Sequence, residues 1–145
     1  VSATRSATSD DVEQIVAMGR HFIEDIYPGD LRYNPDQIRL FAHQLIAADD
    51  SDILLAESGG DVVGMLALMA YAHPMSGDRI ATEVCWWVEP QHRGLGMRLF
   101  RAAEAWSRAQ SAVVFQMIAP SPEVAHFYER VGFKAIETTY QRRIA

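Results

Sequence analysis

Cysteine is almost missing: Cys85 is the only one in 145 residues. No internal disulfide can form, and a reducing cytoplasm is the expected compartment. Long hydrophobic runs are missing too. The longest apolar stretch, Val62 to Ala72, is too short to cross a bilayer and is broken by Gly64. The first residues lack the basic-then-apolar pattern of a secretory signal, so no membrane partner is expected. The five histidines fall at no metal-ligand spacing, and no metal is expected. Basic charge is also in deficit. A net charge of −6 argues against a nucleic-acid partner. Linkers, repeats and low-complexity segments are absent, and the length suits one domain over residues 1–145.

The charge that is present is unevenly spread. Residues 1–60 carry four basic and eleven acidic side chains, whereas residues 61–145 carry nine and eight. The N-terminal part thus favours a cationic partner, although an acidic solvated surface has the same composition.

Periodicity divides the chain into elements. Ser2 to Ala7 reads as a strand, and Thr8, Ser9 or Asp10 can cap the helix that follows. Val12, Ile15, Val16, Gly19, Phe22, Ile23 and Ile26 recur at helical spacing. Asn34-Pro35 opens a second helix with its stripe at Ile38, Phe41 and Leu45. Strands are expected at Ile53–Glu57 and Val62–Tyr71, joined by a hairpin at Ser58-Gly59-Gly60-Asp61, and at Arg79–Val88. Leu95, Leu99, Ala102, Ala103 and Trp106 mark a third helix, followed by a strand at Val113–Ile118, a helix at Glu123–Val131 and a last strand at Phe133–Ile144. The order β-α-α-β-β-β-α-β-α-β predicts an α/β fold, a mixed sheet with helices on both faces.

Between Val88 and the third helix lies Gln91-His92-Arg93-Gly94-Leu95-Gly96. Two glycines in a strand-to-helix turn let backbone come close to a ligand, and the free first-turn N–H groups with the helix dipole suit a pyrophosphate. The pattern Gln91-x-x-Gly94-x-Gly96 resembles the acetyl-CoA loop of the GNAT N-acetyltransferase superfamily. Phe127-Tyr128-Glu129-Arg130-Val131-Gly132-Phe133 is similar to a second signature of that family, a helix ending in Tyr-Glu-Lys-x-Gly-Phe. The element order and the Arg5-x-Ala7-Thr8 opening resemble the family as well.

The resemblance implies direct acetyl transfer from acetyl-CoA to a primary amine on a small molecule or peptide. It implies that the fourth and fifth strands splay to admit the pantetheine arm, with backbone N–H groups near Trp87 and Val88 polarising the thioester carbonyl. The pyrophosphate would lie on Gln91, His92, Arg93, Gly94, Leu95, Gly96, Met97 and Arg98, with Arg98 the better placed of the two arginines. Ser121 stands where the family often has an asparagine touching the arm, and serine offers a smaller hydrogen-bonding set. Tyr128 would be the general acid that protonates the leaving thiolate.

Glu83 is a lone carboxylate inside an apolar strand, read either as the general base or as a structural ion-pair member. On strict alternation it shares a face with Ala81, Cys85 and Trp87, opposite Val84 and Trp86. A lone strand cysteine with no adjacent histidine reads as packing rather than as an acyl-carrying nucleophile. Glu24, Asp25, Tyr27, Asp30 and Tyr33, in the first helix and its following loop, point to a cationic acceptor. Two other readings stay open at this level: a non-catalytic acyl-CoA-binding module and a purely structural α/β domain. The acceptor and the oligomeric state, with a homodimer among the options, are open too.

Overall fold

The computed structural model describes residues 1–145. The strands are β1 (Ser2–Ser6), β2 (Ser51–Ser58), β3 (Asp61–Ala72), β4 (Arg79–Val88) and β5 (Val114–Gln116). The helices are α1 (Val12–Ile26), α2 (Pro35–Ala47), α3 (Gly96–Ala109) and α4 (Pro122–Arg130). The sheet runs in the order β1-β2-β3-β4-β5. The first four strands are antiparallel neighbours, and β5 joins β4 in parallel through the α3 crossover. Gly59 and Gly60 both take positive φ (60° and 89°) in the β2–β3 turn, a conformation that suits glycine and matches strand twist.

Two apolar layers hold the helices on opposite faces. One packs α1 and α2 on the sheet through Val12, Ile15, Met18, Ala42, Leu55 and Trp87. The other packs α3 through Leu54, Leu66, Leu68, Val88, Leu99 and Ala103. Close approach is bought with glycine. A Cβ on Gly64 would sit 3.1 Å from Val88 Cγ2 and 3.2 Å from Leu99 Cδ1, and one on Gly19 would sit 2.8 Å from Ile38 Cδ1. Asn34 caps α2 through Gln37 N–H (3.1 Å), with Pro35 in the first turn.

Two expectations need correction. No strand forms over Phe133–Ile144; beyond the turn at Val131-Gly132 the chain is irregular. Its apolar residues Ile136, Tyr140 and Ile144 are exposed, and β5 is only three residues long, too short an edge to template a long partner. The strand expected over Val113–Ile118 is likewise reduced to Val114–Gln116, because the chain leaves β4 after Gln116.

The Arg5-x-Ala7-Thr8 opening has a structural role. Arg5 grips Asp11 with two hydrogen bonds (2.8 and 2.9 Å) and also pairs with Glu57 on β2. Thr8 N–H donates to Asp11 Oδ2 at 2.8 Å, fixing the entry to α1. The Arg5 guanidinium pulls the Asp11 carboxyl down from 3.8 to about 2. The stabilisation is present at neutral pH and is lost as pH falls from about 3.8 to about 2, where the folded carboxylate finally protonates. At 1.36 kcal/mol per unit this amounts to about 2 kcal/mol. Asp11→Asn is expected to lose that amount in urea denaturation at pH 7 and to flatten the acid limb of the stability profile.

Candidate active site

The site is organised by one irregularity in β4. Cys85 pairs with Ala67 but Glu83 pairs with Leu68, so Val84 is an extra residue on β4. Residues directly opposite on neighbouring strands share a face. Cys85 and Trp87 therefore lie with Ala67 and Met65 on the α1/α2 face, whereas Glu83 lies with Leu68, Leu66 and Trp86 on the α3 face. The alternation expected for Glu83 is overturned by this bulge: Glu83 is on the side of Trp86, opposite Cys85 and Trp87. The two tryptophans do face opposite ways.

Next to the bulge the sheet opens. β4 and β5 pair only from Ile80–Thr82 to Val114–Gln116. Two residues beyond Gln116 the Ile118 N–H donates to Glu83 Oε1 (3.0 Å), and this is the carboxyl group's hydrogen bond within the protein. Glu83 is only 7% exposed. Burial lifts its pKa from 4.5 to about 7, with the Ile118 N–H opposing the rise. The next peptide group anchors Tyr128, whose hydroxyl donates to the Ile118 carbonyl at 3.0 Å. Burial, then the nearby Glu83 charge, push the Tyr128 hydroxyl far above its ordinary value, so it stays protonated. Cys85 is pushed up to about 12 by burial, leaving no thiolate for an acyl-enzyme route.

Local chemistry places Tyr128. Ser121 Oγ accepts from Val124 N–H (3.4 Å) at the start of α4, and Pro122 occupies the first turn. The helix stops at Gly132, with φ +98°, and Phe133 N–H returns to the Tyr128 carbonyl at 2.9 Å. Phe133 then joins an aromatic group unmarked by sequence periodicity. Its ring is 5.4 Å from Tyr128 and 5.9 Å from Phe100, and Trp86 stacks on both Phe100 (6.2 Å) and Tyr128 (6.4 Å). The Ser121 side chain is thus engaged as a helix cap.

The glycine segment forms a 3₁₀ turn over Pro90–Leu95, and α3 begins at Gly96. A Cβ built on Gly94 meets nothing within 4 Å, while one on Gly96 would touch Trp86 at 3.4 Å. Gln91, Gly94, Met97 and Arg98 are exposed, His92 is half-buried, and Leu95 turns into the α3 core. Arg98 donates to the Ser2 carbonyl of β1 (3.0 Å), so its guanidinium is directed to the sheet edge. Arg93, also exposed, lays its side chain back on β4: its Nε donates to the Val88 carbonyl (2.5 Å) and its guanidinium lies 4.8 Å from the Trp87 ring centre. His21 Nδ1 reaches Glu89 Oε1 (2.8 Å), tying α1 to the residue that precedes the turn. Nothing local in the sequence signals either contact.

A cavity of about 240 Å³ joins these parts. Glu83, Trp86, Trp87, Val88, Arg93 and Gly96 line its β4 and glycine-turn side. Ile118, Pro120 and Val124 close the β5 side, and Phe22, Asp25, Ile26 and Tyr27 of α1 form the far wall. Tyr128 is behind Ile118 rather than on the lining, and of the acidic and aromatic residues expected at the acceptor end only Asp25 and Tyr27 are on it. Glu24 is taken by Arg20 (2.9 Å), which also lies over Tyr33. Both tryptophan indole N–H groups are buried without a hydrogen-bond partner, an uncompensated cost that an incoming acceptor atom would offset.

Solved structures with the same architecture include a transcriptional regulator from Bacillus halodurans C-125, 22% identical, matching 99% of this chain and 100% of that one with a TM-score of 0.82. A ribosomal-protein-alanine N-acetyltransferase from Brucella melitensis biovar Abortus 2308 matches at 18% identity, 99% of both chains and a TM-score of 0.76. An aminoglycoside antibiotic 6'-N-acetyltransferase from Acinetobacter haemolyticus matches at 20% identity, 99% of both chains and a TM-score of 0.75. At these identities the likeness is one of fold, and the three differ in described role. No curated protein sequence matches the chain. Residues 16–133 match the Acetyltransferase (GNAT) family, spanning α1, the bulged β4, the glycine turn and the Tyr128 helix. The chain belongs to the GNAT family of acetyltransferases, whose general reaction is acetyl-CoA-dependent acetylation of an amine.

Proposed function

We propose that this protein is an N-acetyltransferase that moves an acetyl group directly from acetyl-CoA to a primary amine held in the same cavity. The observation that carries the reading is Glu83, a buried carboxyl lining the cavity at the parting of β4 and β5, with its pKa lifted to about 7. A base poised near the working pH combines availability with proton affinity. The residues present fit the acyl donor. Gly94 leaves open space where a side chain would stand, Arg93 brings a cation to the β4 side, and the strand gap leads from the turn to Glu83.

Bound acetyl-CoA supplies an activated acyl group on a thiol leaving group. Glu83 accepts a proton from the substrate ammonium, which frees the nitrogen lone pair. The amide C–N bond forms as the C–S bond breaks, the Tyr128 hydroxyl gives its proton to the departing sulfur after turning from the Ile118 carbonyl, and the second proton shed by the nitrogen as the amide forms restores that hydroxyl. Glu83 and Tyr128 bond the N–H and the C=O of one residue, Ile118, which keeps base and acid near one another. A buried, fully protonated tyrosine is a ready donor, and Tyr128 stays protonated across the working range.

A non-catalytic acyl-CoA binder is favoured by one observation, the satisfied Tyr128 hydroxyl. Isothermal titration with acetyl-CoA, together with turnover over a panel of amines, separates the readings. Binding with turnover supports the enzyme; binding with none, against every amine, removes it. Gly94→Val is expected to stay folded, since its Cβ has free space, and to lose acetyl-CoA binding; unchanged affinity would detach the turn from the acyl donor.

The base can be tested by rate and stability together. Between pH 4.5 and about 7 folded Glu83 keeps a proton that the unfolded chain has released, so stability falls as pH rises through this window. The loss is on the order of 3 kcal/mol at 1.36 kcal/mol per unit. Glu83→Gln keeps an oxygen for the Ile118 N–H. It is expected to melt higher than the parent at pH 8 while turnover drops about 10²-fold, and to lose the rise in kcat through about pH 7. A less stable variant that keeps its rate would mark a structural carboxylate. Tyr128→Phe keeps the stacking on Trp86 and is expected to lower kcat about 10²-fold with acetyl-CoA affinity retained. Unaltered kcat with chemistry rate-limiting would take Tyr128 out of the mechanism.

A further inference from the structure

The acceptor end of the cavity has a composition that narrows its substrate. This deepening rests on the N-acetyltransferase reading above. Two carboxylates line the cavity at different depths: Glu83 is 7% exposed, and Asp25 lies on the solvent-exposed side of α1. Unlike Glu24, which Arg20 neutralises, Asp25 enters no ion pair in the protein. The same lining carries Phe22, Ile26 and Tyr27 of α1 and Trp87 of β4, with Phe22 and Tyr27 meeting edge to face at 5.9 Å. The cation on the lining, Arg93, comes from the glycine turn and is committed to the Val88 carbonyl and the Trp87 ring.

We propose that the acceptor is a linear aliphatic diamine, its reacting nitrogen at Glu83, its methylene chain along Phe22, Ile26 and Trp87, and its distal ammonium at Asp25. A carboxylate at the mouth of an apolar channel rewards a second positive charge, and aromatic walls accept methylenes. The cavity, about 240 Å³, is below the usual range of roughly 300–1,000 Å³ for ligand pockets and must also admit the thioester end of the acyl donor. Such room suits a slender chain. A polyhydroxylated aminosugar would leave most of its hydrogen-bonding groups against hydrocarbon, at a cost in affinity. The excess of eleven acidic over four basic side chains in residues 1–60 attracts a dication to this end.

The experiment is steady-state turnover of the full chain with acetyl-CoA against 1,4-diaminobutane, 1,5-diaminopentane, n-butylamine, n-pentylamine, Nα-acetyl-lysine amide and kanamycin. The diamines are expected to exceed the monoamines of equal length by about tenfold in kcat/KM, mostly through KM. In Asp25→Asn that preference should fall to near unity, and in Asp25→Lys it should reverse. A preference that survives in both variants would overturn the assignment, as would equal use of mono- and diamines. A lysine amide or an aminosugar outrunning every diamine would also overturn it, pointing to a protein or a sugar acceptor. Those outcomes leave the N-acetyltransferase reading standing. Absence of turnover with every amine, despite acetyl-CoA binding by titration, removes that reading and the diamine with it.

Discussion

One additional residue in β4 organises the rest of this molecule. Without Val84 as a bulge, Glu83 would continue the face of Cys85 and Trp87, beneath α1 and α2. With it, the carboxyl group is carried to the face of Trp86 and Leu68. A bulge also adds local twist and bends its strand. In this sheet β4 and β5 keep only three paired positions before they part, and the free Ile118 N–H turns to the Glu83 side chain. The gap, the placement of the carboxyl group and the exchange of a ladder hydrogen bond for a side-chain one are found within a few residues of that insertion.

Holding a carboxyl group there has an energetic cost, and the surrounding packing offsets it. Trp86, Phe100, Phe115, Phe127, Tyr128 and Phe133 form a contiguous aromatic layer under the gap, with ring centres between 5.4 and 6.4 Å apart. Trp86 of that layer shares the Glu83 face of β4, and burial raises the proton affinity of Glu83 toward neutrality. The layer also packs around Tyr128, whose hydroxyl bonds the carbonyl of Ile118, the residue whose N–H donates to Glu83. Burial thus acts on both groups, disfavouring the ionised form of each.

Helix α1 contributes to both ends of the cavity. Its Phe22, Asp25, Ile26 and Tyr27 form the wall opposite β4, and His21, earlier on the helix, reaches Glu89 at the start of the glycine turn. Arg93 completes the connection from the other side by covering Trp87 and capping the Val88 carbonyl. The wall that would face an acceptor and the turn that would face a phosphate are thus joined through a few side chains rather than through the sheet alone.

The chain by itself determined whatever depends on neighbours in sequence. The cap at Asn34, the glycine hairpin at Gly59-Gly60, the helix stop at Gly132 and the strand-to-helix turn at Gly94 and Gly96 are local steric or hydrogen-bonding requirements, and each is where periodicity and turn chemistry put it. Tyr128 and Glu83 were visible as a motif residue and as a charge out of place. The face of Glu83, its raised proton affinity, the return of Arg93 onto β4 and the His21–Glu89 contact were decided only in the tertiary structure. A bulge is a property of two strands in register, and nothing in the alternation of β4 alone reveals it. Burial is likewise collective, set by how elements distant in sequence pack together. The segment Phe133–Ile144 shows the converse. Its alternation suits a strand, but pairing needs an edge, and the three residues of β5 provide too little of one.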